Sequence, residues 1–229
     1  MINRDYILRI IEQFSRILAR VLFLRQTNQY QEVLALLDEL FRQTVGLNSD
    51  FLLAVPEEML LALVKRIDLL DVEKCLWIAL LFKLEGDTYQ DLERYEESFP
   101  RYQRSLRLFL EAILPEENPR QSDFFAEVEE LLTLLSRYEL PASLLRRIML
   151  YYEKTGRYAQ AEDTLFEALE APDSSSEIFE EGLAFYARLR GKSSAELRAG
   201  NFSLEEIEEG LADLRRLQAS QATRHSPPH

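Results

Sequence analysis

The sequence predicts an all-α protein of antiparallel helical hairpins, with about 9–11 helices in a right-handed array. Three observations predict this fold. Apolar residues recur at steps of three and four through most of the 229-residue chain. No segment shows the alternation of apolar and polar residues that is typical of a β-strand. Finally, residues 79–112 and 142–175 share one pattern of small and aromatic residues, which indicates an internal repeat.

The first part of the chain contains six predicted helices. The periodic apolar residues place them at about 4–26, 29–44, 56–69, 71–90, 92–113 and 122–138. Pro56 suits the first turn of a helix, which supports the third of these starts. The segment CLWIALLFKL is apolar on nearly all sides, so its helix is expected to lie between neighbouring helices. The residues expected to be most buried are Trp77, Leu80, Leu81 and Phe82.

The second part of the chain carries clear start and stop signals. Pro141 begins a helix that runs to about Thr155, with Gly156 marking its end, and the next helix, about 158–171, stops at Pro172. Three S-x-x-E capping boxes predict further starts: Ser174 with Glu177, Ser193 with Glu196, and Ser203 with Glu206. The last helix is expected to end near Leu217. Residues 1–218 are therefore predicted to form one domain, and the aperiodic residues 219–229 a disordered tail.

The internal repeat has a recognisable pattern. It reads GDTYQDLERYEESFPRYQRSL in the 79–112 unit and MLYYEKTGRYAQAEDTLFEAL in the 142–175 unit, with a weaker copy NQYQEVLALLDELF. These segments resemble the tetratricopeptide repeat, a helix–turn–helix unit. Small residues such as Ala161 and Ala168 would let paired helices approach closely. Pro100 is expected to kink the second helix of the 79–112 unit or to delay its start.

The resemblance implies a surface that binds extended peptides or partner helices. The positions that match ligand-facing residues of the family are Leu22, Arg25, Lys83, Asp87, Gln90, Arg146, Leu150 and Glu153. None of them reproduces the Lys–Asn clamp with which some members bind chaperone tails. The alternative is that these charges are solvated or paired within the molecule. The whole chain, from MINRDYILRIIEQF to SLEEIEEGLADL, also resembles an uncharacterised bacterial family catalogued as a domain of unknown function. That resemblance implies a bacterial cytosolic setting and no assigned activity.

The charge of the chain is acidic overall but basic at its start. The net charge is −13 and the pI near 4.8, which disfavours nucleic acid and anionic membranes as partners. The first 30 residues instead carry five arginines against two carboxylates. At 100° per residue Arg9, Arg16 and Arg20 lie within about 40° of each other and form a basic ridge. This ridge suits an acidic helix of another protein or of a second copy, or pairing within the same molecule.

Residue counts exclude most catalytic and metal sites. His225 and His229 are the only histidines, and both lie in the terminal stretch RHSPPH. The single Cys75 is expected to be a core residue, and no glycine-rich phosphate loop is present. We therefore predict no catalytic residues, no cofactor and no bound metal. The lone cysteine and the charged N-terminus, which is unlike a signal peptide, favour the cytoplasm.

The sequence therefore predicts a non-enzymatic module that binds a protein or peptide partner on a helical-repeat surface. The alternative is a structural homo-oligomer whose repeat faces pack on each other, with a homodimer as its simplest form. A third possibility, an enzyme that uses paired carboxylates, requires a pocket with at least two acidic groups of strongly raised pKa. Neither nucleic acid nor a membrane is expected as a partner.

Overall fold

The computed structural model describes the backbone of residues 4–66 and 69–224, without the side chains of residues 4–11, 13 and 219–224. The described residues form 12 α-helices, one 3-10 turn and one pair of very short strands, so the predicted all-α class is confirmed. They divide into two compact units: the described residues of 1–117 and 121–138 form the first, and those of 118–120 and 139–229 form the second. The organisation of residues 1–218 as a single domain stays a prediction.

The first unit is built around one central helix. Its helices are α1 (Arg4–Gln26), α2 (Tyr30–Val45), α3 (Ser49–Ala54), α4 (Glu57–Leu63), α5 (Val72–Asp91), α6 (Tyr95–Ile113) and α7 (Phe125–Leu135). Helix α5 packs against α1, α2 and α6, while α6 also contacts α3 and α7. This position explains why α5 is apolar on nearly all sides, and Leu80, Leu81 and Phe82 are buried as predicted. Trp77 is only half-buried, and its ring meets the Phe14 ring of α1 edge-on, with 6.0 Å between the ring centroids.

The helix predicted from Pro56 to Leu69 is wrong in its second half. Helix α4 ends at Leu63, and the chain then forms the antiparallel strands β1 (Lys65–Arg66) and β2 (Leu69–Leu70). No alternation of apolar and polar residues marks these two-residue strands, so the sequence pattern does not indicate them. The cause lies at Asp71, whose backbone N–H donates to Val64 O at 2.7 Å while its carboxylate accepts from Lys74 N at 3.2 Å. Asp71 thus closes the hairpin and caps α5, which stops α4 from continuing.

Helices α5 and α6 form an antiparallel hairpin through a tight turn. Ser105 on α6 donates its hydroxyl to Ala79 O on α5 at 2.8 Å, so the two backbones lie close together. Gly86 permits this approach, since a Cβ there would lie 2.6 Å from the Tyr102 ring. Pro100 does not delay the helix: α6 already begins at Tyr95 and contains Pro100.

The second unit contains the other five helices. They are α8 (Ala142–Lys154), α9 (Tyr158–Glu170), α10 (Ser176–Arg190), α11 (Ser194–Ala199) and α12 (Leu204–Arg224). Gly156 ends α8 in the left-handed region, with φ of 70°, as predicted for the turn of the α8–α9 hairpin. Ala161 and Ala168 are fully buried in the core of this unit. Helix α10 contacts α8 and α9 on one side and α12 on another.

The predicted helix signals near the C-terminus are partly confirmed. Ser193 and Glu196 form a complete capping box at α11, and Ser203 accepts from Glu206 N at 3.2 Å before α12. The box at Ser174 is wrong, because α10 is preceded by Ser175, whose side chain makes no cap hydrogen bond. The predicted end near Leu217 is also wrong, since α12 continues to Arg224. The predicted disordered tail therefore overlaps helical residues 219–224, and residues 225–229 lie outside the described part of the chain.

Candidate functional site

Three of the repeat-derived positions of the first unit lie in a network of ion pairs. Arg25 on α1 donates from Nε to Asp91 Oδ2 at 2.7 Å, and its guanidinium lies 3.6 Å from Asp87 Oδ2. Lys83 Nζ lies 3.7 Å from the same Asp87 oxygen and 2.9 Å from Glu130 Oε2 on α7. The structure thus brings Arg25, Lys83 and Asp87 together, but as partners of one another and of neighbouring carboxylates.

Asp87 lies at the centre of this network. It accepts a hydrogen bond from the Tyr102 hydroxyl at 2.8 Å. Burial raises the pKa of Asp87, although the Lys83 ammonium and the Tyr102 hydrogen bond oppose the shift. The two other predicted residues of this unit contribute no ion pair: Gln90 is half-buried on α5, and Leu22 is exposed on α1. The network therefore holds α1 and α7 against α5–α6 and leaves little free charge for a ligand.

A second buried network was not predicted from the sequence. Arg101 and Glu85 are both buried, and Arg101 Nε lies 2.9 Å from Glu85 Oε2. Ser49 at the start of α3 donates to Glu85 Oε1 at 2.7 Å, and the Arg101 guanidinium lies 4.2 Å from the Tyr89 ring centroid. This network fixes α3 on the α5–α6 hairpin. The sequence does not show that Glu85 and Arg101 form a buried pair, because the two residues lie on different helices and meet only in the folded structure.

The repeat-derived positions of the second unit lie between α8 and α10. Arg146 donates to Glu181 Oε2 at 3.0 Å, and Arg188 donates to both oxygens of Glu153 at 2.7 Å. Burial alone would raise the pKa of Glu181, but hydrogen bonds from Arg146 and Arg188 lower it below its ordinary value. Leu150 is partly buried against the core of this unit. Arg146 and Glu153 therefore join α8 to α10 through intramolecular ion pairs.

The basic ridge on α1 is exposed and borders apolar side chains. Arg16 is 75% exposed and pairs with Glu12 one turn earlier, at 2.9 Å, while Arg20 is also exposed. The side chain of Arg9 lies outside the described residues. Phe23 is 62% exposed and, at 100° per residue, lies within about 60° of both Arg16 and Arg20 around the helix.

We call the surface formed by Arg16, Ala19, Arg20, Leu22 and Phe23 the α1 outer face. Leu22 is 42% exposed and Ala19 is exposed between it and Phe23. An aromatic side chain that projects into water beside two guanidinium groups is unusual for a solvated helix surface. Phe23 was not among the predicted site residues, since helical periodicity alone does not tell which apolar residues α2 and α5 leave uncovered.

The described carboxylates do not form a metal site. No group of three or more His, Cys, Asp or Glu side chains in the described part of the chain has a geometry that could hold a metal ion. Glu130 from the acidic run of α7 pairs with Lys83, and Glu208 from that of α12 pairs with Arg190 at 2.6 Å. Cys75 is buried as predicted, and its thiol donates to Leu108 O at 3.2 Å. The absence of catalytic residues and cofactors stays a prediction.

Membrane spanning finds no support among the described helices, none of which combines the length and the apolar character of a transmembrane segment.

Comparison with known proteins gives one match. Residues 1–219 match the model of a family described as "Family of unknown function (DUF6483)". No curated protein and no solved structure matches the chain.

Proposed function

The chain belongs to this family of unknown function, and we propose that it is a non-enzymatic protein–protein interaction module. Its binding surface is the α1 outer face, and its partner is an acidic amphipathic helix or peptide. In this mechanism Phe23 and Leu22 act as apolar anchors, while Arg16 and Arg20 select negative charge on the partner.

One observation carries the proposal: Phe23 on α1, an aromatic side chain that is 62% exposed, lies beside the two exposed arginines of the basic ridge. The other candidate charges, in particular Arg25, Lys83 and Arg146, are engaged by carboxylates of the same molecule. A partner that used those positions would first have to break the existing pairs, which offsets most of the gain. A partner can contact the apolar side chains of the α1 outer face without breaking any of these ion pairs.

The proposal includes a fold similar to tetratricopeptide repeats. Two hairpins support this likeness: α5–α6 contains the predicted 79–112 unit, and α8–α9 lies within the predicted 142–175 unit. Their small residues lie at helix contacts, as Gly86 does against Tyr102 and as the buried Ala161 does in the second unit. We place the protein in the bacterial cytoplasm, in keeping with its single unpaired cysteine.

Site-specific photo-crosslinking in the native host tests the proposal. A photo-crosslinking amino acid in place of Ala19 lies on the α1 outer face, and the same substitution at the exposed Ala212 on α12 is the matched control. We expect a discrete adduct from position 19, with an acidic segment of the partner at the crosslink, and no such adduct from position 212.

Three variants then identify the interactions. Arg16→Glu with Arg20→Glu is expected to abolish the adduct, and Phe23→Ala is expected to weaken binding by about 2 kcal/mol, or about 30-fold. Arg215→Glu with Arg216→Glu on α12 changes the net charge equally and is expected to leave the adduct intact. An adduct that survives reversal of Arg16 and Arg20, or that forms equally from position 212, would contradict the proposal.

A further inference from the structure

A second exposed apolar surface lies on the first unit, on the short helices α3 and α4. Phe51 on α3 is 42% exposed and Met59 on α4 is 45% exposed. Ala54, Pro56 and Ala62 are also exposed, while Leu52, Leu60 and Val64 fix the two helices to the core. We call the surface formed by Asp50, Phe51, Ala54, Pro56, Glu58, Met59 and Ala62 the α3–α4 outer face.

The exposed charges of this face are two carboxylates. The Asp50 side chain is 85% exposed, with one oxygen 3.4 Å from Arg101, and Glu58 is exposed as well. Both lie in the first turn of their helices, where the positive end of the helix dipole favours a negative charge.

The arginines beneath this face, on α6, are directed toward the protein. Arg101 contacts the buried Glu85, and Arg107 donates to Glu57 at 2.7 Å. Arg104 donates to Leu53 O at 3.0 Å and to Val55 O at 2.6 Å, which closes the end of α3. With Glu57 held by Arg107, Asp50 and Glu58 are the exposed charged residues of α3 and α4.

The α3–α4 outer face complements the α1 outer face in both character and charge. Each presents a large exposed apolar pair, Phe51 with Met59 on one face and Leu22 with Phe23 on the other. Asp50 and Glu58 are exposed on the same helices as the first pair, and Arg16 and Arg20 are exposed on α1 within about 60° of Phe23. Contact between the faces would remove four large apolar side chains from water and place opposite charges at the rim.

We propose that the α1 outer face of one copy of this chain binds the α3–α4 outer face of a second copy. This inference rests on the proposed function, because it identifies the acidic amphipathic partner of α1 as another molecule of the same protein. The contact joins two different surfaces, and it closes into a dimer where each copy supplies both surfaces to the other.

Charge exchange between the two faces tests the contact. Mass is measured by light scattering and analytical ultracentrifugation over a concentration series, for the purified full chain at low salt. The wild-type chain is expected to self-associate, and added salt to weaken the association. Reversal of Arg16 and Arg20 to Glu, or of Asp50 and Glu58 to Lys, is expected to raise the dissociation constant by about tenfold or more.

Mixing the two charge-reversal variants is the decisive experiment. An equimolar mixture of R16E/R20E with D50K/E58K restores opposite charges at each contact, so the mixture is expected to associate. The single chain with all four substitutions is expected to associate for the same reason. The R215E/R216E variant, with the same charge change as R16E/R20E, is the matched control and is expected to behave as wild type.

The mixture also distinguishes a variant that has lost the contact from a variant that has lost its fold. A variant that is monomeric because it is unfolded would not regain association in the mixture, and its circular dichroism would differ from that of wild type. A wild-type chain that stays monomeric at all concentrations, or a mixture that fails to associate while both variants are folded, overturns the inference.

The crosslinking experiment distinguishes this inference from the proposed function. An adduct from position 19 to residues of α3 or α4 in a second copy supports both. An adduct to a different acidic protein overturns the self-association and leaves the proposed function standing. No adduct from position 19 overturns both.

Discussion

Replacement of Gly210 by Ala sets two opposing effects against each other within α12. Alanine is favoured over glycine inside a helix by about 1 kcal/mol, so an uncrowded Gly210→Ala substitution would stabilise the protein. The structure predicts the opposite result. A Cβ at position 210 would overlap Tyr186 Oη and would lie 2.5 Å from Glu162 Oε1.

The magnitude follows from what the new methyl group must displace. Tyr186 is fully buried, and its hydroxyl donates to Glu162 Oε1 at 2.6 Å. Loss of a hydrogen bond to a charged group costs about 1.5–3 kcal/mol, and overpacking adds about 1–3 kcal/mol. After the gain in helix propensity of about 1 kcal/mol, the free energy of unfolding is expected to fall by about 1.5–5 kcal/mol.

Urea unfolding followed by far-ultraviolet circular dichroism measures this change. Tyr186→Phe provides the matched background, because it removes the oxygen that the Cβ would overlap. In that background Gly210→Ala is expected to cost about 1–2 kcal/mol less. A Gly210→Ala variant that is more stable than wild type, or a cost that is the same in both backgrounds, would refute the close approach of α12 to the Tyr186–Glu162 pair.

The remaining predictions concern the core, the half-buried Glu162 and the buried Cys75. Ala161→Leu is expected to lower the free energy of unfolding by about 1–3 kcal/mol in urea, because Ala161 is fully buried, whereas Ala212→Leu on the exposed side of α12 leaves it nearly unchanged; equal effects would argue against the packing of α9. Burial raises the pKa of Glu162 above its ordinary value of 4.5. At a pH between the pKa of the unfolded chain and that of the folded protein, the folded protein therefore keeps a proton that the unfolded chain has lost. The free energy of unfolding falls as the pH rises through this range. Glu162→Gln keeps an acceptor for Tyr186 and is expected to reduce this fall in urea titrations at stepped pH; an unchanged pH dependence would assign the fall to other groups. Burial likewise raises the pKa of the Cys75 thiol, so Ellman's reagent is expected to modify Cys75 only after unfolding, and rapid modification of the native protein would contradict its burial.

Helices were predictable here wherever periodicity and a local stop signal agreed. The α8–α9 hairpin is the clearest case, because Gly156 supplies the left-handed turn and the apolar steps resume at once on the other side. The segment after Pro56 was not predictable in the same way. Its apolar residues continue to Leu70, but Asp71 caps α5 and bonds to Val64, which forces a hairpin that periodicity does not encode.

Burial of single residues was less predictable than the helices that carry them. Trp77 lies in the same apolar segment as Phe82, yet Phe82 faces the interior against Phe41 at 4.8 Å between ring centroids, while Trp77 stays half-buried. The difference depends on which neighbour covers each side of α5. That information comes from tertiary packing and not from the composition of the helix.

The positions of charged residues were also not predictable from the sequence, as Arg25 and Arg20 of α1 show, and this matters for the proposed site. Around α1, Arg25 lies about 180° from Arg16 and therefore faces α5, where Asp91 accepts its hydrogen bond at 2.7 Å. A ligand that used Arg25 would have to replace this carboxylate, so the net gain would be small. Arg20 and Phe23 lie on the opposite side of the helix and are exposed. It follows that Arg25 serves the packing of α1 on α5, and in the proposed function the selection of a partner depends on the outward pair of arginines and on Phe23.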